Sequence, residues 1–413
     1  MNKHYDSSMS HSFNVSRRQF LATAGASALS LAVATPTLRA ADSEAKVNIG
    51  LIGCGGRGTW IADLFLKDGH YNLVALADYF QDRVDSAGEK FQVDKSRRFT
   101  GLSAYKRLLE EKLDAVVIIS PPYFHPEQAA AAVEAGKHVY CAKPIAVDVP
   151  GCQSIEASGR KATEKNQVFL VDFQTRAHPS YQEAVRLVHS GGIGKIVSGE
   201  ASYETGDIFG PNDARIREKP EDNEMRVRCW GSDRTLSGDI ITEQNIHAID
   251  VASWIMDAAP LRAYGECGRT RPPLENGVCD NFSVIFEYPK DVRISFNSKQ
   301  AGKFWEDICC RVYGQAGVID THYFGVVKVL CDDAYNGGTM TNLYTDGAVI
   351  NIGAFHKAIA AADYSNLTVP PSVRSNLTTI LGRTAAYRRA EVTWEELLKA
   401  NEKLEANLKG LKV

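Results

Sequence analysis

Residues 46–58 read KVNIGLIGCGGRG and residues 73–78 read LVALAD; these two stretches decide the fold. The apolar, β-branched run from Lys46 to Ile52, stopped by a glycine cluster, predicts a buried parallel strand. Gly53, Gly55 and Gly58 then complete G-x-G-x-x-G, with Gly56 and Arg57 between the last two, and all five are expected cofactor contacts. A helix-like run from Thr59 to Lys67 follows, and a second strand, Leu73–Ala77, ends in Asp78, about 20 residues beyond Gly58. A glycine signature alone says little. With a strand before it, a helix after it and an acid at this spacing, it predicts a dinucleotide site. Gly53 allows the tight turn, Gly55 lets backbone approach a pyrophosphate, and Gly58 lets helix and strand pack closely. The free N–H groups of the helix N-terminus face the phosphates. Asp78 would accept hydrogen bonds from ribose hydroxyls and repel a 2′-phosphate, which favours NAD over NADP; Arg83 nearby moderates that preference.

Working outward, the alternation of strand and helix continues. Ala115–Ser120 reads as a buried strand running into Pro121-Pro122-Tyr123-Phe124-His125, and His138–Cys141 as another, ending at Ala142-Lys143-Pro144. Gly53, Asp78, Ser120 and Lys143 all fall at the carboxyl ends of strands, where ligands of a doubly wound sheet sit. Pro121 and His125 join the expected cofactor contacts, His125 on the nicotinamide side. The class is α/β, with a Rossmann dinucleotide-binding domain over residues 45–170 and a second domain over 171–413. In that second domain, runs such as Ile196–Tyr203, Asn281–Tyr288 and Val292–Lys299 alternate apolar and polar residues, as do Ile308–Tyr313 and Val326–Cys331. They predict an α+β domain with a large, mostly antiparallel sheet covered by helices on one face. The other face needs a cover, which suggests subunit pairing. Residues 209–235 read as a long loop over the cleft, and Trp394–Leu411 as an amphipathic helix.

Residues 239–256 have helical spacing. Asp239, Glu243, His247 and Asp250 fall at steps of four, four and three and predict one polar stripe lining a cleft, with Asp239 and His247 as expected substrate contacts. A metal is not expected, because no second ligand pair accompanies Glu243 and His247. Lys143, after a buried strand, should lie beside the nicotinamide, where burial and the cationic ring lower its pKa and ease proton exchange. Arg176 follows the strand Val168–Val171.

Together these motifs resemble the Gfo/Idh/MocA oxidoreductases, the glucose-fructose oxidoreductase and inositol dehydrogenase family. The resemblance runs from Lys46 to Val413. It rests on the glycine loop, Pro-Pro-x-x-His at 121–125, Lys143-Pro144, residues 190–195 (SGGIGK), the segment 238–250, Tyr344-x-x-Gly347 and Leu381-Gly382-Arg383. It implies that Lys143 contacts the reacting hydroxyl and that His247 is the acid/base, oriented by Glu243. It makes Arg176 either a substrate contact or a structural ion pair, and it implies a homodimer or homotetramer. Two departures stand out: Ala142 replaces the family's Glu before Lys-Pro, and Glu243 replaces its Asp four residues before the His.

Three functions follow in order. The first is NAD-dependent hydride transfer from a hydroxyl-bearing carbon of a sugar, glycoside or polyol. The second is a glycosidase acting by transient C3 oxidation and elimination. The third is a dinucleotide-binding protein without catalysis.

Composition narrows the partners. With 47 basic and 50 acidic residues the net charge is −3, which gives no basic field for nucleic acid. Nine cysteines without a C-x-x-C pair form no disulfide framework and read mostly as small buried hydrophobes. Ser16-Arg17-Arg18-Gln19-Phe20-Leu21 before an Ala-rich run resembles a Tat export signal over residues 1–41, not a membrane span. That predicts a periplasmic or cell-envelope protein carrying a tightly bound cofactor.

Overall fold

The structure, a computed structural model, describes residues 46–413; the expected export signal lies outside the described residues. The first apolar runs form six strands: β1 (Val47–Ile52), β2 (Tyr71–Asp78), β3 (Arg98–Thr100), β4 (Ala115–Ile118), β5 (His138–Ala142) and β6 (Phe169–Asp172). They pair in the order β3-β2-β1-β4-β5-β6, every pair parallel. β4 and β6 are buried along their whole length, as strands covered by helices on both faces must be. The order reverses direction between β1 and β4. The crevice beyond their carboxyl ends is the ligand position of such sheets.

The remaining strands are β7 (Ile196–Thr205), β8 (Arg262–Gly268), β9 (Asn281–Tyr288), β10 (Val292–Gln300), β11 (Asp307–Gly314), β12 (Val318–His322), β13 (Gly325–Leu330), β14 (Tyr335–Met340) and β15 (Val392–Thr393). They form one sheet, β14-β13-β12-β11-β7-β10-β9-β8-β15, antiparallel except where β7 meets β10. Every second residue of β10 is buried, which places one sheet face inward. The helices Ile246–Met256 and Val369–Arg388 cover that face. Two C-terminal helices also return to the first sheet: Leu343–Ala360 packs on the helix Gly56–Asp68, and Val369–Arg388 on Val149–Glu164. One apolar cluster therefore contains side chains of both sheets. Among the described residues no helix is long and apolar enough to cross a membrane.

Three expected elements differ. Residues 209–235 are not a loop but a chain of short capped helices, Gly210–Glu218, Asn223–Arg228, Trp230–Ser232 and Arg234–Ser237. Asp222 and Asp233 accept the N-terminal amides of the second and fourth. The expected helix from Trp394 to Leu411 stops at Ala400, where Asn401 takes a left-handed conformation (φ 45°); the following chain forms no helix or strand. Finally, residues 239–256 are not one helix. Asp239 (φ 71°) caps a short turn, Ile240–Glu243, and the chain resets at Gln244 and Asn245 before Ile246–Met256 begins. The amide of Asn245 bonds back five residues to the Ile240 carbonyl, so the four-residue step that would align the stripe is lost.

Candidate active site

The glycine loop lies at the end of β1. Gly53 has φ 98°, and a Cβ there would stand 2.6 Å from the backbone of Ile119 and Ser120. A Cβ on Gly58 would overlap the Gly53 carbonyl. At Gly56 it would meet nothing within 4 Å, which leaves open space above the helix start. Gly55 caps that helix without a side-chain partner, so its first amides remain free for an anion. Asp78 braces the loop: its Oδ2 accepts from the Cys54 amide (2.7 Å) and its Oδ1 from the Phe80 amide (2.9 Å), while burial raises its pKa. Asp78, Gly53, Ser120 and Pro121 line a cavity of about 50 Å³ with Leu102 and Phe124. Free amides at one end and an acid beside an apolar cavity at the other fit an NAD molecule lying across the sheet.

Two residues expected on the cofactor are committed elsewhere. His125 is buried between the β4 and β5 loops, with Nδ1 at 2.8 Å from the Pro144 carbonyl and Nε2 at 2.7 Å from the Ser120 carbonyl; the neutral ring, with one N–H, donates to one of the two. Burial pushes its pKa down to about 4, with the Lys143 charge adding to that, although both carbonyls pull upward. Folding thus resists its protonation. Its contribution is intact above the unfolded value near 6.5 and is lost as pH falls towards 4. We expect urea titrations to show a loss approaching about 3 kcal/mol over that window, and a His125→Gln variant to lack that component. An equal acid loss in both proteins would contradict the assignment.

Arg57 likewise turns from the phosphate side to the second domain. Its Nη2 bonds Asp172 Oδ2 (2.7 Å), its Nη1 bonds the Tyr344 hydroxyl, and its guanidinium lies against Trp60 and Tyr344. Asp172, fully buried at the end of β6, also accepts from Gln174 Nε2 (2.8 Å) and Asn351 Nδ2 (2.9 Å). Gly347 makes this join possible: a Cβ there would stand 2.5 Å from Gln174.

Lys143 projects from the end of β5 and is buried. Its Nζ donates to the Glu243 backbone carbonyl (2.7 Å) and stands 3.6 Å from Glu243 Oε1. Burial pushes Lys143 down, an effect opposed by Glu243 and reinforced by Arg57; burial pushes Glu243 up. Both shifts favour the uncharged forms, so the pair is prepared to exchange a proton. His247 begins the next helix, and its pKa falls well below the ordinary value through burial first, then the Lys143 and Arg57 charges. Glu243 makes no hydrogen bond to His247, because the reset at Gln244 separates the two side chains. His247 faces a cleft of about 390 Å³ whose walls include Tyr203, Gln244, Glu306, Tyr323 and Tyr344.

The other two expected substrate contacts lie outside this cleft. Arg176 holds Asp250 with Nε at 3.0 Å from each carboxylate oxygen and stacks on Trp254, the ion-pair alternative. Asp239 is fully buried, caps Ile240 and accepts from the Tyr387 hydroxyl (2.5 Å). The tyrosines of the cleft and Asp172 were not foreseen as site residues. Only Tyr344 carried a signal, in its Tyr-x-x-Gly motif.

The adenosine side is covered by chain from far away. Val227, Leu236 and Leu411 bury themselves against Phe80. Arg228 pairs both guanidinium ends with Asp82 (2.9 Å each) and lies 3.9 Å over the Phe80 ring. Leu102 N donates to the Lys412 carbonyl, Lys412 Nζ to Thr100 Oγ1, and Asn223 Nδ2 to the Lys409 carbonyl.

Residues 47–173 match the GFO/IDH/MocA oxidoreductase family, NAD-binding Rossmann fold, and residues 181–320 match the GFO/IDH/MocA C-terminal domain. The chain is 24% identical to scyllo-inositol 2-dehydrogenase (NAD(+)) of Bacillus subtilis (strain 168), over 67% of this chain and 74% of that protein. It is 28% identical to the alpha-N-acetylgalactosaminidase of Shewanella oneidensis, over 46% of each chain. Levoglucosan dehydrogenase in complex with NADH and levoglucosan shares the fold, with TM-score 0.67 and 20% identity over 84% of this chain and 99% of that one. Glycine loop, sheet order and both matched domains agree: the chain belongs to the Gfo/Idh/MocA family of NAD-binding oxidoreductases.

Proposed function

We propose that this enzyme oxidises a hydroxyl-bearing carbon of a sugar, glycoside or polyol at the cleft lined by His247, where Lys143 meets the segment that precedes that histidine. The observation that carries the reading is the meeting of a buried lysine, at a strand end beside the glycine loop, with the His247 segment of the second domain. When bound, NAD supplies the hydride acceptor. Lys143 meets the reacting hydroxyl from the Rossmann side and polarises its O–H bond. His247, kept neutral by burial and by the charges of Lys143 and Arg57, has a lone pair free to take the proton. Tyr203, Tyr323 and Tyr344 supply the aromatic faces that suit a carbohydrate ring. Glu243 serves Lys143 and not His247. The names of the relatives, a scyllo-inositol dehydrogenase and a levoglucosan dehydrogenase, support the substrate class.

A second reading is glycoside hydrolysis in which the cofactor ends each turnover as it began. The α-N-acetylgalactosaminidase relative favours it. So does the covering of the adenosine side by residues 223–236 and 404–412, which suits a resident cofactor. Export by the twin-arginine signal at residues 16–21 would also demand one, since an exported enzyme cannot draw on a cytosolic pool. The open face of the large sheet carries Glu200, Ser202, Cys309 and Arg311 and supports pairing with a second copy.

Purified protein incubated with free sugars, polyols and aryl glycosides, with no added NAD, separates these readings. Bound NADH absorbance that grows on a free sugar or polyol supports the dehydrogenase. Phenol release without net NADH supports the glycosidase. Neither result, with NAD present in the protein, would sink both.

A further inference from the structure

Behind His247 lies a second, small cavity of about 10 Å³, shared by Thr175, His247 and Tyr323. That size admits a single water. Three residues of its lining each carry a buried polar atom, Thr175 Oγ1, His247 Nδ1 and Tyr323 Oη, that has no hydrogen-bond partner among the described residues. Buried polar atoms without partners are rare, and each calls for an explanation. Three around one water-sized space share one. His247 also lines the open cleft. Since Nδ1 is its buried nitrogen, Nε2 is the one left for the substrate. The acid four residues before His247 is not available as a partner, because it stands beside Lys143.

Resting on the oxidoreductase reading above, we propose that Thr175 positions His247 through one buried water shared with Tyr323. The chemistry differs from that of a carboxylate partner. An ionised carboxylate only accepts hydrogen bonds and stabilises an imidazolium. Water and hydroxyls accept or donate and carry no charge. With them, His247 holds its proton on Nδ1 while Nε2 takes one from the substrate, and gains no permanent positive charge between turnovers. Burial first, then the Lys143 and Arg57 charges, lowers the His247 pKa, so its resting form is neutral. Thr175 is a positioning residue, since it reaches the substrate only through the ring. It is fully buried in the short helix Gln174–Ala177, directly after Asp172, so the segment that anchors Arg57 also presents its hydroxyl.

The test uses NAD-loaded protein without substrate. A crystal structure is expected to show one ordered water within hydrogen-bonding distance of Thr175 Oγ1, His247 Nδ1 and Tyr323 Oη. Nitrogen-15 NMR should find His247 protonated at Nδ1 in the wild type and in Thr175→Ser, with that signal diminished in the isosteric Thr175→Val. With a substrate found in the panel above, Thr175→Val should lose about tenfold in kcat at unchanged KM, and Thr175→Ser should recover most of it. The proposal is overturned if no water is found, if Thr175→Val leaves the His247 spectrum unchanged, or if folded Thr175→Ser is as impaired as Thr175→Val. The spectrum and the water are read without turnover. A protein inert to every sugar would therefore defeat the functional reading and leave this one standing.

Discussion

Replacing Lys143 by Met is expected to slow turnover by about a hundred- to ten-thousand-fold while NAD remains bound, the range of a lost acid–base group. The methionine fills the lysine's volume but brings no amine to the reacting hydroxyl. Glu243 then loses its partner. Because burial already raises its pKa, it takes a proton and does not remain as an unpaired charge, so the fold survives. A thermal melt near the wild-type value with intact NAD content would confirm this. His247→Ala should show a loss of similar size, and the double variant should fall little below either, since the two groups serve one proton transfer. Full turnover in both single variants would refute the assignment of the cleft as the reaction site.

The second large effect concerns the cover of the adenosine side. Burying a leucine such as Leu411 is worth about 1.5–3 kcal/mol. If that energy closes the chain over the nucleotide, its removal weakens NAD binding by about ten- to a hundredfold. A chain lacking residues 403–413 should therefore leave a desalting column largely free of NAD, and added NAD should restore its spectrum. Arg228→Ala should do less, because the pair with Asp82 is partly exposed and such pairs contribute about 0–1 kcal/mol. NAD content equal to the wild type in the shortened chain would show that residues 403–413 do not retain the cofactor.

The contrast between the two halves of the site is instructive. Gly53, Gly58 and Asp78 were legible because their tasks are local: a turn, a close helix approach and an acid at the next strand end lie within one βαβ unit. His125 and Arg57 were misassigned because their types match cofactor contacts, yet their partners, the Ser120 and Pro144 carbonyls and Asp172, come from other strand ends. Thr175 carried no sequence signal, since a threonine three residues after a strand has many ordinary uses. Its meaning depends on a cavity that exists only once β11, β12 and the helix Ile246–Met256 have packed.

Periodicity and glycine placement, by themselves, determined the parallel sheet and the dinucleotide loop and put Lys143 at a strand end, while the roles of Lys143 and His247 came from the family resemblance. Sheet and loop are written in spacings of two, three or four residues and in backbone sterics, which act along the chain. Tertiary structure alone decided that Glu243 serves Lys143 and not His247, that Arg176 and Asp239 are structural, and that chain beyond residue 400 closes on the first domain. A single reset at Gln244 redirects every side chain after it, and charge pairing between distant segments follows packing, which spacing along the chain does not encode.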